Sequence, residues 1–369
     1  MPGIPATITI EGRTPATIKG RVAPLINTAE AARGGYRAGD DTGGGASPSG
    51  TVVFDTDMDN QPDWQSQHTS QRYKYNGDTS NDGSSGFAAQ DNIPPTWDFY
   101  YLSDKWDPYG DKNGEGAVVG SRPVGAITSE FGNHLGPSGK SFVTWDESYG
   151  GPGQWGSDTD LIKDLNSVYT DIVEDFWLKM QPGFQWEAVN SGSGQSSLKL
   201  ARGRYYTGGE FGQRFGLDLD VDASFIVNIK AFKSADGSDR ARIKVELKQY
   251  PNEINKSVIE ADMGTISDTI GNGGWQHIVI RAKMNSEAGV ADGKLQVAFN
   301  DTLLINLDVE IITQDPGAEI VGWNQVGMGG NANNVWAPEE DQAEQWWALS
   351  GFKVYSGVPD EYKSLLGDS

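Results

Sequence analysis

Four carboxylates stand at Asp55, Asp57, Asp59 and Asp63, a D-x-D-x-D-x-x-x-D spacing that a loop can wrap around one hard cation. Such a loop would hold a structural Ca²⁺, the one cofactor expected of this chain. It lacks the glycine at the sixth position and the bidentate glutamate at the twelfth that calcium loops of this spacing use, and the competing reading is an acidic, solvated turn. Asp218, Asp220 and Asp222 form a second alternating trio, which on a strand would need a further partner. Histidine chemistry is sparse. His68, His134 and His277 are the only three, none at metal-ligand spacing from another, and His134 in Phe131-Gly132-Asn133-His134 is the one to test as a base. Trp97, Tyr100, Tyr101, Trp106 and Trp336 fall in irregular stretches where a ring can stack on a sugar, against the general tendency of tryptophan to pack in a core.

Composition removes whole classes of function. Fifty-one acidic against 29 basic residues give a formal net charge of −22, which repels nucleic-acid phosphates and anionic lipid. The same field disfavours a polyuronate unless a local basic patch overrides it. With no cysteine, thiolate metal sites, disulfides and cysteine nucleophiles are excluded. Residues 1–7 show no basic segment followed by an apolar one, and no apolar run approaches membrane-spanning length, so neither export by a signal peptide nor membrane insertion is expected.

The elements that must position these groups are strands. Forty-eight glycines, 17 prolines, 12 tryptophans, 13 tyrosines and 13 phenylalanines suit short strands joined by tight turns. Period-two alternation runs through residues 171–180, 224–232, 241–250, 275–285, 292–301 and 346–355. In 241–250, Ile243, Val245 and Leu247 take one face, and Arg242, Lys244, Glu246, Lys248 and Tyr250 the other. Residues 289–293 and 300–302 have hairpin-turn chemistry. A helix is expected over 158–168, capped by Asp158, with Leu161, Ile162 and Leu165 on one face. Before the body lies a relatively basic segment, residues 1–38, with Arg13, Lys19, Arg21, Arg33 and Arg37 and two short alternating runs; residues 39–50 read as a Gly/Ser-rich linker. The body spans 51–356 and a short polar tail 357–369. Half-buried antiparallel strands of this number must stack two sheets to cover their apolar faces, so the expected fold is an all-β, two-sheet antiparallel sandwich with an extended N-terminal arm.

Over residues 50–356 the order of motifs resembles the concanavalin A-like (laminin G-like) jelly-roll superfamily, and within it the jelly-roll polysaccharide lyases acting on alginate or glucuronan. The likeness rests on Val52-Val53-Phe54-Asp55, a strand ending in Phe184-Gln185-Trp186, Lys199-Leu200-Ala201-Arg202-Gly203, the strand from Trp275 with Asn285 and the Asp292-Gly293 hairpin. It continues in a Gly327-Met328-Gly329-Gly330 turn, Trp336 and the final strand. The resemblance implies a concave sheet on which a basic or amide side chain neutralises a uronate while Tyr or His moves protons at C5 and O4. Lys199, Arg202, Arg204, Tyr205 and Tyr206 would supply one wall, Lys248 and Tyr250 the next, with His134 as a further base. The chain departs from the family at Ala201-Arg202, where the lyases carry Pro-Gly after Lys-Leu. It departs again at Lys248-Gln249-Tyr250, where they carry Tyr-x-Tyr.

Two functions follow as expectations. The first is a structural or attachment component of a larger assembly, a tailed-phage virion assembled in the host cytoplasm: residues 1–38 dock on neighbouring proteins, the chain is oligomeric, and the sandwich displays a site for cell-surface polysaccharide. Arg204, Tyr205, Trp97, Tyr101, Trp106 and Trp336 are its candidate ligand residues. The second is a lyase cleaving an acidic glycan by β-elimination, with Lys199, Arg202, Tyr206, Lys248, Tyr250 and His134 as its candidate machinery.

Overall fold

The computed structural model describes residues 50–65, 93–102, 125–147, 155–186, 188–189, 196–207, 221–251, 257–333 and 344–368, and strands at 7–10, 72–74 and 87–89. One sheet has eight strands, in the order β1 (Thr7–Ile10), β14 (Ser257–Thr265), β13 (Asp239–Lys248), β12 (Ala223–Lys233), β11 (Ser196–Tyr205), β18 (Trp323–Asn333), β9 (Trp155–Tyr169) and β6 (Phe99–Leu102). The other has nine. Its order is β17 (Thr302–Val309), β16 (Gly293–Phe299), β15 (Gln276–Lys283), β10 (Asp171–Met180), β19 (Glu344–Ser356), β8 (Ser141–Glu147), β7 (Gly125–Thr128) and β3 (Trp64–Gln65), with β2 (Thr51–Thr56) also paired to β19. A short parallel pair, β4 (Arg72–Lys74) and β5 (Phe87–Ala89), stands apart. Within the two large sheets each pairing is antiparallel, and the protein is the expected two-sheet sandwich.

Alternation places the core. Phe225, Val227 and Ile229 of β12 and Ala241, Ile243, Val245 and Leu247 of β13 face inward, against Ile278, Ile280, Leu295 and Val297 of the other sheet. Fully burying each of these side chains other than Ala241 stabilises the fold by roughly 1.5–3 kcal/mol. Aromatic rings fill the β2 end: Phe54 lies 5.1 Å from Trp97, and Trp64 4.9 Å from Tyr100. One inward side chain breaks the pattern. Glu174, between Ile172 and Phe176 on β10, is buried with both carboxylate oxygens lacking a hydrogen-bond partner among the described residues, and burial, only partly offset by the Arg202 charge, holds its pKa well above the ordinary range.

Four sequence expectations change. Residues 158–168 belong to strand β9, because Thr159, Leu161 and Leu165 are buried at even spacing while Ile162 stands outside the core cluster, and β18 and β6 supply ladder partners on both edges. The glycines 327–330 lie inside β18 and form no turn. Phe184-Gln185-Trp186 is a loop, since β10 ends at Met180. The tail carries a helix, α1 (Asp360–Leu366), whose Leu366 packs on Val173, Val279 and Ala298 outside the nine-stranded sheet. By contrast Asn300 and Asp301, at φ 46° and 60°, form the hairpin turn their chemistry predicts. Of residues 1–38 only Thr7–Ile10 is described: it pairs with Ser257–Glu260 at the β14 edge, and the expected second run lies outside the described residues. Among the described residues no helix is long and apolar enough to cross a membrane.

Candidate functional site

The polar groups singled out on β11 and β13 fall on the outer face of the eight-stranded sheet, in rows set by strand register. Lys248, Ser224, Arg204, Gln325 and Asp164 stand side by side on β13, β12, β11, β18 and β9. Glu246, Ile226, Arg202 and Gly327 form the next row, then Lys244, Asn228 and Lys199. Arg204 donates to Gln325 Oε1 at 3.0 Å, and Gln325 to Asp164 Oδ1 at 2.8 Å. Asp160 Oδ2 takes Arg202 at 3.1 Å and Arg204 at 3.2 Å. These side chains are nearly inaccessible, 1% for Asp160 and 6% and 3% for the arginines, so their charges must be met inside the protein. Gly330, at φ 139°, makes room: a Cβ there would lie 2.5 Å from Arg202 Nη2 and 2.6 Å from Lys199 Cβ.

Toward β14 the same face is a ladder of charge pairs. Glu260 meets Lys230 and Arg242, Asp262 meets Arg240 at 2.7 Å, and Glu246 meets Lys244 at 2.6 Å. Arg242 also lies 4.1 Å over the Phe232 ring. Cross-strand pairs of opposite charge are the ordinary solution for an exposed sheet face.

The proton-transfer candidates do not gather on this face. Tyr205 points inward and donates to Glu319 Oε1 at 2.5 Å, and Tyr250, 6.0 Å from its ring, reaches Glu319 Oε2 at 3.5 Å. Burial and then Glu319 raise both phenol pKa values, which keeps both hydroxyls protonated and so unable to accept a proton. Strict alternation would have kept Tyr250 beside Lys248, but it follows the strand end and packs on the core. His134 lies on the other sheet altogether, because the β7–β8 connection that carries it folds over the nine-stranded one. Tyr206 follows the end of β11 and is 8% exposed. Trp97 is 4% exposed and wedged between Phe54 and Phe352, so it is a core residue and offers no sugar platform; Tyr205, 2% exposed, likewise belongs to the core. The side chain of Tyr101, and Trp106, Trp336, His68, Asp218 and Asp220, lie outside the described residues.

Three of the carboxylates expected to bind Ca²⁺ have protein partners. Asp57 caps the turn at Met58–Asn60 by accepting from Asp59 N at 3.0 Å. Asp59 accepts from Asn133 Nδ2 at 3.0 Å and from Lys140 N, and Asp63 pairs with Lys140 at 2.8 Å. Asp55 stands opposite Lys353 on β2. Among the described residues no three carboxylate or imidazole groups gather around a point. Asp222 instead accepts from Thr207 N at 2.7 Å.

A constellation that sequence reasoning missed occupies the outer face of the nine-stranded sheet. Trp177 of β10 is stacked between two imidazoles, His134 at 5.1 Å and His277 at 4.5 Å. His134 Nδ1 lies 2.9 Å from Ser350 Oγ; His277 Nε2 lies 2.8 Å from Asp175 Oδ1, and Tyr362 of α1 donates to Asp175 Oδ2 at 2.7 Å. Burial lowers the His134 pKa. Burial also works against His277, but the Asp175 hydrogen bond and charge, with Asp301, outweigh it and hold its pKa above the ordinary value. The signal was available in principle: Asp175 and His277 are outward positions of two strands the alternation had already located. Asp160 and Asp164 were hidden by the helix assignment, which obscured their outward alternation.

No family model matches the sequence, and no curated protein matches it. Among solved structures it is similar to alginate lyase Aly36B, with TM-score 0.36 and 12% identity over 63% of this chain and 82% of that one. It is also similar to the binding domain of botulinum neurotoxin serotype C1, with TM-score 0.32 and 12% identity over 62% of this chain and 46% of that one. Likeness this slight carries neither activity nor ligand across.

Proposed function

We propose that this chain is a displayed, non-catalytic glycan-binding sandwich of a larger assembly, with the outer face of the eight-stranded sheet as its ligand surface. The observation that carries the reading is the dispersal of the β-elimination set. Lys199, Arg202 and Lys248 share a face, but Tyr205 and Tyr250 are committed to Glu319 and His134 belongs to the opposite sheet. A general base must lie within hydrogen-bond reach of the proton it takes. What is left on the face can hold an acidic sugar without moving its protons, and the half-buried Lys199 and Lys244 flank Asn228 in the row best placed to do so. The assembly part rests on composition, a basic segment 1–38 joined by a Gly/Ser-rich linker to an acidic body.

Incubation with alginate, glucuronan and capsular polysaccharide should give retention in affinity electrophoresis, weakened by added salt and by Lys199→Ala or Lys244→Ala, and no absorbance of unsaturated uronate. Product formation that vanishes in Tyr206→Phe would establish a lyase and end the non-catalytic reading. In producing cells the full chain should sediment with large particles and a chain lacking residues 1–45 should not; co-sedimentation of the truncated chain would remove the assembly part.

A further inference from the structure

We propose that Thr7–Ile10 is a strand passed between copies: in the assembled state β1 of one chain adds to the β14 edge of the next. This deepens the assembly part of the proposed function and rests on it. Beyond β13, the only ladder partner of β14 among the described residues is β1. The pairing is antiparallel and short, with Thr7 opposite Glu260, Ile8 opposite Ile259, Thr9 opposite Val258 and Ile10 opposite Ser257. Residues 261–265 continue the same edge with no described partner, and an open sheet edge is a template for a strand from another chain.

Distance does not tie this strand to its own sheet. β2 lies on β19, and β14 touches β17, four strands further along the nine-stranded sheet. At about 4.8 Å per strand and ~10 Å between sheets the span is roughly 20–30 Å, which about ten extended residues would cover. Residues 11–49 supply thirty-nine, enough to reach ~130 Å when fully extended. A tether of that length holds its strand at an effective concentration on the order of millimolar. Copies packed side by side, about 50 Å apart for a chain of this size, stand at a concentration of the same order, so a neighbour's edge competes on equal terms.

The ladder itself is indifferent to the choice. The same backbone hydrogen bonds form either way, and exchange of an identical element is a low-cost route to association. Charge tips the balance. Residues 1–38 carry five basic and two acidic side chains, in a chain of net charge −22. Packed copies repel one another, and a basic segment that crosses to the neighbour offsets the repulsion between two acidic bodies, whereas one held on its own body relieves only that body.

The chain has no cysteine, so introduced thiols are the only ones present. Facing Cα atoms of an antiparallel pair lie ~4.5–5.5 Å apart, inside the ~4.4–6.8 Å that a disulfide spans. Thr9 and Val258 are such a pair, and they leave undisturbed Glu260, which is engaged with Lys230 and Arg242. The full chain carrying Thr9→Cys and Val258→Cys is oxidised in the particle fraction of producing cells and, after purification, at ~1 µM, far below the millimolar set by the tether. In the particle fraction the disulfide should join separate chains, giving multiples of the chain mass on a non-reducing gel, at least tenfold more than in the dilute protein, where it should close within one chain. Thr7→Pro and Ile8→Pro are then added together. Neighbouring N–H groups of a strand point to opposite sides, so one of the two must be lost from the ladder, and the cross-link should fall at least tenfold. A disulfide closed within one chain in the particle fraction, a cross-link that survives both prolines, or no disulfide in either sample would each overturn the exchange and leave particle association standing. A chain absent from the particle fraction would overturn both, so the two failures are told apart.

Discussion

On the eight-stranded sheet Asp160 is shared between two guanidiniums, Arg202 at 3.1 Å and Arg204 at 3.2 Å; on the nine-stranded sheet Asp175 is shared between an imidazole and a phenol, His277 at 2.8 Å and Tyr362 at 2.7 Å. The first arrangement joins a carboxylate to guanidiniums alone. The second can change with pH, because one partner titrates near neutrality. Between the faces lies Glu174, next to Asp175 in sequence but pointing into the core, where no described partner meets it. Successive residues of one strand thus show a carboxylate with partners and one without, purely because their side chains leave on opposite sides of the pleat.

Breaking the first arrangement should have the largest effect. Asp160→Ala leaves two buried guanidiniums without their shared carboxylate and should cost roughly 3–5 kcal/mol in urea unfolding, with no change in pH slope between pH 5 and 8. A result below about 1 kcal/mol would mean that Gln325 and Gly329 O already satisfy the arginines.

Removing the unpaired acid should act in the opposite direction. Glu174→Met should stabilise the protein by about 2–3 kcal/mol at pH 7. The folded-state pKa of Glu174 lies above its unfolded value, so the unfolded chain gives up this proton first and stability falls as pH rises from about 4.5 toward the folded pKa. The stability difference between variant and parent should therefore shrink as pH is lowered through that window.

The nine-stranded face supplies the titrating contrast. Asp175→Asn should cost about 1–2 kcal/mol at pH 5.5. For His277 the folded pKa is raised, so the stabilisation by Asp175 is full below about pH 6.5 and lost as pH rises through the folded value. The cost of Asp175→Asn should decline over that range, and a pH-independent cost would show that His277 is not the partner that matters. His134 has the opposite sign: its folded pKa is lowered, so the parent loses stability as pH falls below about 6.5, and His134→Ala should remove that loss. The smallest effect belongs to the charge ladder. Arg242→Ala, at a site 38% exposed, should cost no more than about 1 kcal/mol and less in high salt.

Much of the scaffold was legible. Residues 171–180 alternate as Asp171–Met180 does in the structure, and the inward Ile243, Val245 and Leu247 were read correctly, because one buried face of a sheet imposes a period of two that no other element shares. The site was less legible. Tyr250 carries the parity of Lys248 yet leaves its face beyond the strand end, and His134 was weighed with residues of the wrong sheet. The failure at 158–168 came from spacing that fits a helix locally, overridden by two neighbouring strands distant in sequence.

By itself the sequence determined the class of fold, the strands and the sign of the molecule's charge, since these depend on side-chain type and on spacing along one chain. Tertiary structure alone decided which carboxylates are paired. That Asp59 and Asp63 turn to Asn133 and Lys140, and that Tyr205 faces Glu319, depends on which strands become neighbours. Hydrogen bonds and ion pairs act over a few ångströms, and those neighbours lie tens to more than a hundred residues away along the chain.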